Sequence, residues 1–270
     1  MRILRRTAPP VAAVSAALLL LAGCGDDDSD DKPTGASGAP SAGAPAAAEP
    51  STITVLAAAS LTEAFNEAST VYTNNHKDQT VKFSFAGSQE LAAQVKQGAP
   101  ADVIATADTK TMDGLTGEVN APQVFAANRL TIIVPAGNPK NVTSLADLAR
   151  GDLTVVLAGP TVPVGRYARE SLTKAGVDVK PKSEETDVKA VVTRVRMGEA
   201  DAGIVYTTDA SAAGKDVTSV EIPEQFNVVA SYPVAVIKDS GKQGPANAFT
   251  RWLLTPEAQQ VLAKYGFVAP

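Results

Sequence analysis

From Ser51 to the C-terminus, short runs of β-branched and apolar residues alternate with stretches of helical periodicity. The run at residues 52–57 is followed by apolar residues at helical spacing, and the run at 81–85 by a helix that Gly98 is expected to end. The same pattern predicts further strands at residues 102–106, 130–134, 153–157, 202–206, 217–222, 228–230 and 234–237. Strands that alternate with helices favour largely parallel sheets flanked by helices, so the predicted fold class is α/β.

Four of the predicted helices begin directly after a strand, at Ser60, at Ser88, near Val164 and near Val188. Ser60 and Glu63 fit a capping box, and Asp187 or Thr186 fits the N-cap of a helix that runs to Met197. The first N–H groups of a helix have no partner within it, and the helix dipole makes this end positive. Because open α/β sheets bind ligands at the carboxyl ends of their strands, four such helix ends would together hold an anion.

The first 23 residues have the features of a signal peptide. A start with three arginines is followed by an apolar stretch at residues 11–21 and by small residues. The stretch is too short to span a hydrocarbon core comfortably, since that takes about 20 apolar residues. The residues Leu-Ala-Gly-Cys that end at Cys24 resemble the lipobox of bacterial lipoproteins, in which the cysteine is acylated and becomes the new N-terminus.

Residues 24–50 are predicted to form a lipidated, disordered tether. An acidic run at residues 26–31 is followed by a segment dominated by Ala, Pro, Gly and Ser. Such a composition cannot bury enough apolar surface to offset the entropy of ordering the chain. The acidic run lacks the spaced acid-glycine-glutamate pattern of a calcium loop, so we interpret it as a solvated spacer.

The overall composition excludes several kinds of site. The formal net charge is −5, so the chain has no basic field for nucleic acid. Cys24 is the only cysteine, which rules out an internal disulfide and a cysteine-based metal site. We therefore expect neither a metal bound directly by the protein nor a cofactor.

A series of motifs gives the sequence a specific resemblance. Seven segments occur in this order: residues 57–61, 85–88, 98–102, 162–168, 187–188, 203–206 and 232–236. Together they resemble the periplasmic-type molybdate-binding proteins of ABC importers, over residues 51–266. The resemblance implies a two-lobed, type II-like periplasmic-binding-protein fold, with two mixed, largely parallel sheets joined by hinge crossover strands. We assign residues 51–132 plus 233–270 to lobe 1 and residues 133–232 to lobe 2.

The resemblance also implies five ligand contacts in the cleft between the lobes. They are Ser60 and Ser88 through hydroxyl and backbone N–H, Val164 and Val188 through backbone N–H, and Tyr206 through its phenol. The position of Val164 often holds alanine in relatives, which a backbone contact tolerates. Taken alone, the two serines fit plain helix caps and the tyrosine a core residue.

The function implied is that of an extracytoplasmic binding lipoprotein. It captures molybdate, and by similarity tungstate, and delivers it to an ABC permease as a monomer tethered to the cell membrane. A site made only of donors disfavours phosphate, which retains a proton near neutral pH, but does not exclude sulfate. A receptor of the same fold for another oxyanion such as sulfate therefore stays open as an alternative. Iron capture would be expected to use several tyrosines, histidines or carboxylates, whereas the implied contacts include a single tyrosine, and no buried carboxylate for the amine of an amino acid can be placed.

The remaining alternative is that the protein is an enzyme, and we expect that it is not. Ser171 and Lys174 fit the Ser-x-x-Lys motif of penicillin-interacting enzymes, but no Ser-Asp-Asn or Lys-Thr-Gly motif follows. A serine hydrolase that used Ser60 would need a base, and His76, the only histidine, lies in a polar loop.

Overall fold

The computed structural model describes residues 50–270, and the signal peptide, Cys24 and nearly all of the tether lie outside the described residues. Strands and helices alternate along the first part of the chain. The elements are β1 (Ser51–Ala58), α1 (Thr62–Asn75), β2 (Gln79–Ala86), α2 (Ser88–Lys96), β3 (Val103–Ala105), α3 (Thr109–Asp113) and β4 (Gln123–Pro135).

The second part of the chain continues the alternation and ends in two helices. The elements are β5 (Val155–Ala158), α4 (Pro163–Lys174), β6 (Ser183–Glu185), α5 (Val188–Arg196), β7 (Ala202–Tyr206), α6 (Thr207–Ala213), β8 (Val217–Glu221), β9 (Val229–Val236), α7 (Gln243–Trp252) and α8 (Pro256–Lys264). Short 3-10 turns lie at Ala59–Leu61, Ala146–Ala149 and Gly214–Asp216.

The strands pair in the order β2-β1-β3-β9-β4-β7-β5-β6, and β8 pairs with β4 beside this path. β1 is parallel to both β2 and β3, and β5 is parallel to both β6 and β7. β4 and β9 run antiparallel to their neighbours. The result is the mixed α/β arrangement that the alternating pattern predicts.

The long strand β4 divides the pairing into two sheets. Its residues 123–129 pair with β9 in the sheet that holds β1, β2 and β3. Its residues 130–135 pair with β7 and β8 in the sheet that holds β5 and β6. One continuous strand therefore crosses from the first sheet to the second, as expected for a crossover strand. The lobe boundaries at residues 132/133 and 232/233 stay a prediction.

The core packs on both faces of the first sheet. Val55 and Ala57 of β1 belong to one buried cluster, whereas Leu56 between them belongs to another with Leu91 and Met112. The larger cluster continues into the second sheet through Ile132 and its neighbours. Strands covered on both faces are typical of α/β domains.

Two local predictions are wrong. Ser60 does not cap α1, because the chain forms a 3-10 turn at Ala59–Leu61 and the N-cap residue of α1 is Leu61, which makes no side-chain cap bond. The strands predicted at 228–230 and 234–237 form the single strand β9, which includes Pro233. Pro233 lies opposite Val124, beside a register shift in β4, and such irregularities are where a strand tolerates proline.

Three short elements, α3, β6 and α6, were not predicted from the sequence, and neither was α8. Within residues 50–270, none of the helices is both long enough and apolar enough to span a membrane.

Candidate functional site

All five residues that the resemblance implies as ligand contacts line one cavity. Its volume is about 220 Å³, including the part that opens to solvent. The lining consists of Ala58, Ala59, Ser60, Ala86, Gly87, Ser88, Ala107, Val162, Pro163, Val164, Asp187, Val188 and Tyr206. The turns that follow β1 and β2 in the first sheet thus face the end of β7 in the second sheet and the N-termini of α4 and α5, which contact that sheet.

Strand ends bring these residues together. The parallel strands β1 and β2 are in register up to Ala58 and Ala86, so the turns that follow them lie side by side. These two turns carry Ser60 and Ser88. Tyr206 ends β7, which is parallel to β5 in the second sheet. The site therefore lies where the carboxyl ends of parallel strands meet, which is where open α/β sheets bind ligands.

Three helix N-termini contribute to the lining. Ser88 and Val188 are the first residues of α2 and α5, and Val164 is the second residue of α4, after Pro163. Proline has no N–H, so Val164 supplies the first free backbone donor of α4. Each helix has at least nine residues, and each presents the positive end of its dipole to the cavity.

Gly165 allows α4 to lie directly against the end of β5. A Cβ atom built at this position would lie 2.1 Å from the Gly159 carbonyl oxygen and 2.3 Å from that of Ala158. These are backbone atoms, so they cannot move aside as a flexible side chain would. The close approach holds the N-terminus of α4, and with it the N–H of Val164, at the cavity.

The two serine hydroxyls are already hydrogen-bonded to fixed neighbours. The Ser60 Oγ lies 2.9 Å from the hydroxyl of Tyr232, and the backbone N–H of Ala107 donates to the Ser88 Oγ at 3.0 Å. Both serines are buried, with exposed fractions of 4% and 2%. Each hydroxyl is therefore held in place at the cavity wall.

Tyr206 presents a hydroxyl that has no hydrogen-bond partner among the described residues. Its side chain is buried, and its ring meets that of Tyr232 edge-on at 5.8 Å between centroids. Burial, with smaller contributions from neighbouring groups, raises the pKa of Tyr206 well above its ordinary value, so the phenol stays protonated. A buried hydroxyl without a partner is costly unless a ligand satisfies it.

Charged groups surround the cavity but hardly enter it. Asp187 is the one Asp, Glu, Lys, Arg or His residue in the lining, and its Oδ1 accepts from the backbone N–H of Ala190 as the N-cap of α5. The nearby cations are paired elsewhere: Arg166 with Asp108, and Lys189 with carboxylates of neighbouring helices. The cavity therefore offers hydroxyl and amide donors rather than a cationic side chain.

This donor set suits a small anion and does not suit a bare metal ion. Hydroxyls and helix-terminal amides donate to oxygen atoms of a ligand, whereas a cation needs acceptors. Within residues 50–270, no cluster of three or more His, Cys, Asp or Glu residues could hold a metal ion.

The residues considered for a hydrolase lie away from the cavity lining. The Ser171 Oγ is buried without a hydrogen-bond partner among the described residues, and Lys174 pairs with Glu170 at 3.1 Å. His76 stacks on the ring of Tyr72 with centroids 4.2 Å apart. None of these side chains forms a nucleophile and base with the lining residues.

Sequence reasoning missed Tyr232 and Asn128, which lie behind Ser60. The Asn128 Nδ2 approaches the Tyr232 hydroxyl at 3.5 Å, and both side chains are buried. Tyr232 begins one of the motifs that carry the resemblance, but nothing local to it reveals a contact with Ser60, 172 residues away.

Known proteins are similar to this chain in both sequence and fold. A family model described as bacterial extracellular solute-binding protein matches residues 53–268. The molybdate-binding protein ModA of Mycobacterium tuberculosis is 40% identical over 221 residues, which cover 81% of this chain and 85% of that protein.

Solved structures extend the comparison to the fold. The periplasmic molybdate-binding protein of Azotobacter vinelandii matches with a TM-score of 0.70 and 20% identity, over 81% of this chain and 99% of that chain. The sulfate-binding protein SubI of Mycobacterium tuberculosis matches with a TM-score of 0.74 and 22% identity, over 81% of this chain and 86% of that chain. The chain therefore belongs to the family of bacterial extracellular solute-binding proteins, which are not enzymes.

Proposed function

We propose that the protein captures molybdate in this cavity and delivers it to the permease of an ABC importer. The observation that carries the proposal is the set of donors around the cavity: two serine hydroxyls, a tyrosine hydroxyl without a protein partner, and three helix N-termini. The 40% identity to a molybdate-binding protein supports the choice of anion.

Molybdate is a tetrahedral dianion at neutral pH, and its four oxygen atoms accept hydrogen bonds. The donors proposed are the hydroxyls and backbone N–H groups of Ser60 and Ser88, the backbone N–H groups of Val164 and Val188, and the phenol of Tyr206. Local dipoles of this kind stabilise the dianion without a lysine or arginine partner, which allows release. Tungstate has nearly the same size and charge, so we propose that it binds as well.

We propose further that the ligand closes two lobes around itself. Lobe 1 would comprise residues 51–132 and 233–270, and lobe 2 residues 133–232. Ser60 and Ser88 belong to the first, and the other three contacts to the second. A ligand that bonds to both lobes favours the closed form, because it has more contacts there. The continuous strand β4, which takes part in both sheets, supports a hinge at this crossover.

The membrane attachment belongs to the same proposal. Lipid on Cys24 would hold the protein at the extracytoplasmic face of the cell membrane, with residues 24–50 as a flexible tether. The protein would act as a monomer. A tether keeps the receptor near its permease at a high effective concentration.

Sulfate is the second candidate ligand, because a sulfate-binding protein shares the fold. Molybdate is favoured because, compared by sequence, the sulfate-binding protein of Synechocystis is 26% identical to this chain, whereas the molybdate-binding protein of Mycobacterium tuberculosis is 40% identical. Calorimetric titration of the purified protein with molybdate, tungstate, sulfate and phosphate tests the choice. We expect tight binding of the first two. Tight binding of sulfate without binding of molybdate would overturn the assignment.

A further inference from the structure

The side chain of Asn128 is held in one orientation. Its Oδ1 accepts from the backbone N–H of Arg129 at 2.9 Å and from the Thr207 hydroxyl at 3.0 Å. A backbone N–H can only donate, so the oxygen of the amide must face it. The Nδ2 is therefore turned the other way, where it donates to the Thr208 hydroxyl at 2.8 Å and approaches the Tyr232 hydroxyl at 3.5 Å.

This orientation fixes which way the hydroxyl proton of Tyr232 points. An amide nitrogen has no lone pair to offer, so the Tyr232 oxygen is the acceptor on that side. Tyr232 is fully buried, and an unused O–H group there would cost free energy. Two hydroxyls remain near it: the Ser60 Oγ lies at 2.9 Å, whereas the Tyr206 hydroxyl is nearby but forms no hydrogen bond among the described residues. Tyr232 therefore donates to Ser60. Burial also raises the pKa of Tyr232 well above its ordinary value, so the donor proton stays in place.

We propose that Asn128 and Tyr232 are positioning residues that make Ser60 an obligatory hydrogen-bond donor to the anion. Because the Ser60 oxygen accepts from Tyr232, its own proton is left to point into the cavity. This inference rests on the proposed function and adds the residues that set its selectivity. At Ser60 the wall can then only donate, which favours an anion without a proton, such as molybdate or sulfate, over hydrogen phosphate, whose proton would find no acceptor there. The one carboxylate in the lining, that of Asp187, is already engaged as the N-cap of α5.

Ser88 is arranged in the same way by a different partner. The backbone N–H of Ala107 donates to its Oγ at 3.0 Å, so the Ser88 proton is also free for the ligand. Each of the two serine hydroxyls thus accepts a hydrogen bond from the protein and keeps its own proton for the ligand. The Ser88 arrangement uses the backbone, whereas the Ser60 arrangement depends on side chains that can be changed.

Asn128→Asp tests the proposal because it replaces the amide donor with an acceptor of the same shape. The Arg129 N–H still has its acceptor, but Tyr232 now donates to the new carboxylate. Ser60 then donates to Tyr232 and presents a lone pair to the cavity. Tyr232→Phe is the second variant, because it removes the donor to Ser60 and frees the serine oxygen to accept.

The decisive measurement compares the dissociation constants of phosphate and sulfate at about pH 8. The two anions have nearly the same size and the same charge there, but only hydrogen phosphate carries a proton. A new negative charge at Asn128→Asp repels both equally, so their ratio of dissociation constants isolates the effect of the proton. We expect Asn128→Asp to shift this ratio toward phosphate by about tenfold or more, and Tyr232→Phe by about threefold.

Tyr72→Phe is the matched control, since Tyr72 is also fully buried and donates to the Gln79 Oε1 at 2.6 Å, away from the cavity lining. It should leave the ratio unchanged. Thermal unfolding checks that each variant is folded, and Tyr232→Phe decides if Asn128→Asp does not fold. An unchanged ratio in folded variants would overturn the inference. A wild-type protein that fails to bind molybdate would instead overturn the proposed function, so the two failures are distinguishable.

Discussion

The ammonium group of Lys189 lies 2.7 Å from the carboxylate of Glu63, although the two residues are 126 positions apart in the sequence. Lys189 follows Val188 at the start of α5, and Glu63 lies in the first turn of α1, shortly after Ser60. The ion pair therefore joins two segments that line opposite parts of the cavity. The Gln89 Nε2, which donates to the Thr186 carbonyl oxygen at 2.8 Å, makes a second such connection beside Ser88.

Glu63→Gln should weaken molybdate binding while leaving the fold nearly unchanged. The variant loses the ion pair between α1 and α5 but leaves Lys189 beside Asp209. A partly exposed ion pair contributes up to about 1 kcal/mol, which corresponds to about a fivefold loss of affinity. The loss should disappear at high salt, since salt screens the pair in the wild type. Calorimetry at two salt concentrations measures both effects.

Glu67→Gln is the control for this variant. Glu67 lies one turn further along α1 and pairs with Lys264, on α8. The same chemical change there should leave molybdate affinity as it is. Equal losses in the two variants would show that the effect reports on α1 as a whole rather than on the connection to α5.

Ser88→Ala should reduce both affinity and stability. The variant removes a proposed ligand donor, and it leaves the backbone N–H of Ala107 without its acceptor. We expect molybdate affinity to fall by about tenfold and the free energy of unfolding by about 1–2 kcal/mol. Ser171→Ala is the matched control, because the Ser171 Oγ is buried without a partner among the described residues. That variant should keep the affinity of the wild type and should be at least as stable, as measured by titration and chemical denaturation.

The pH dependence of stability should carry the signature of Asp209. Burial raises the pKa of this carboxyl to about 6, and the ammonium of Lys189, 3.0 Å from its Oδ1, opposes the shift. An unfolded aspartate titrates near pH 3.9. Between about pH 4 and pH 6 the folded state therefore binds more protons than the unfolded state, so this group's contribution to stability falls as the pH rises.

Asp209→Asn removes this titration. As the pH rises from about 4 to about 6, the free energy of unfolding of the variant should rise by about 2 kcal/mol relative to that of the wild type. Asp147→Asn should change in the opposite direction and at lower pH, below about pH 4, because hydrogen bonds from the backbone and hydroxyl of Thr143 lower the pKa of Asp147. Denaturation curves from about pH 2 to about pH 6 measure both differences. A constant difference between wild type and Asp209→Asn would show that Asp209 does not titrate in this window.

Local patterns were enough to predict most strands, the starts of three helices and the α/β class. Asp187 caps α5 as its sequence position predicts, with its Oδ1 accepting from the Ala190 N–H at 3.0 Å. Such features depend on residues a few positions apart, so a single sequence reveals them. The wrong capping box at Ser60 has the opposite cause. Its hydroxyl lies against Tyr232, and this long-range contact takes precedence over the local cap.

Only part of the candidate site can be predicted from the sequence. Helix N-termini after strands pointed to an anion site, but Val164, Val188 and Tyr206 were chosen through a family resemblance. The contacts of Asn128 and Tyr232, behind the cavity wall, are not predicted by any pattern in the sequence. Asn128 reaches Thr207 and Thr208, which are 79 and 80 positions away, and nothing near Asn128 in the sequence signals these bonds. Pairings of this kind depend on how the two sheets are brought together at β4.

Tyr206→Phe should move affinity and stability in opposite directions. The Tyr206 hydroxyl is buried and has no partner among the described residues, so its removal relieves an unsatisfied polar group in the ligand-free protein. We expect the free energy of unfolding without ligand to stay level or to rise by up to about 1 kcal/mol. Molybdate affinity should fall by about tenfold or more, since a hydrogen bond to a charged ligand is lost.

Tyr265→Phe is the control, because its hydroxyl donates to the Glu67 Oε2 at 2.7 Å, away from the cavity lining. That variant should lose a little stability and no affinity. Thermal unfolding with and without molybdate, together with calorimetry, separates the two quantities. A Tyr206→Phe protein that binds molybdate as tightly as the wild type would remove the phenol from the proposed site. A protein that loses stability and affinity together would mean that the hydroxyl supports the fold rather than the ligand.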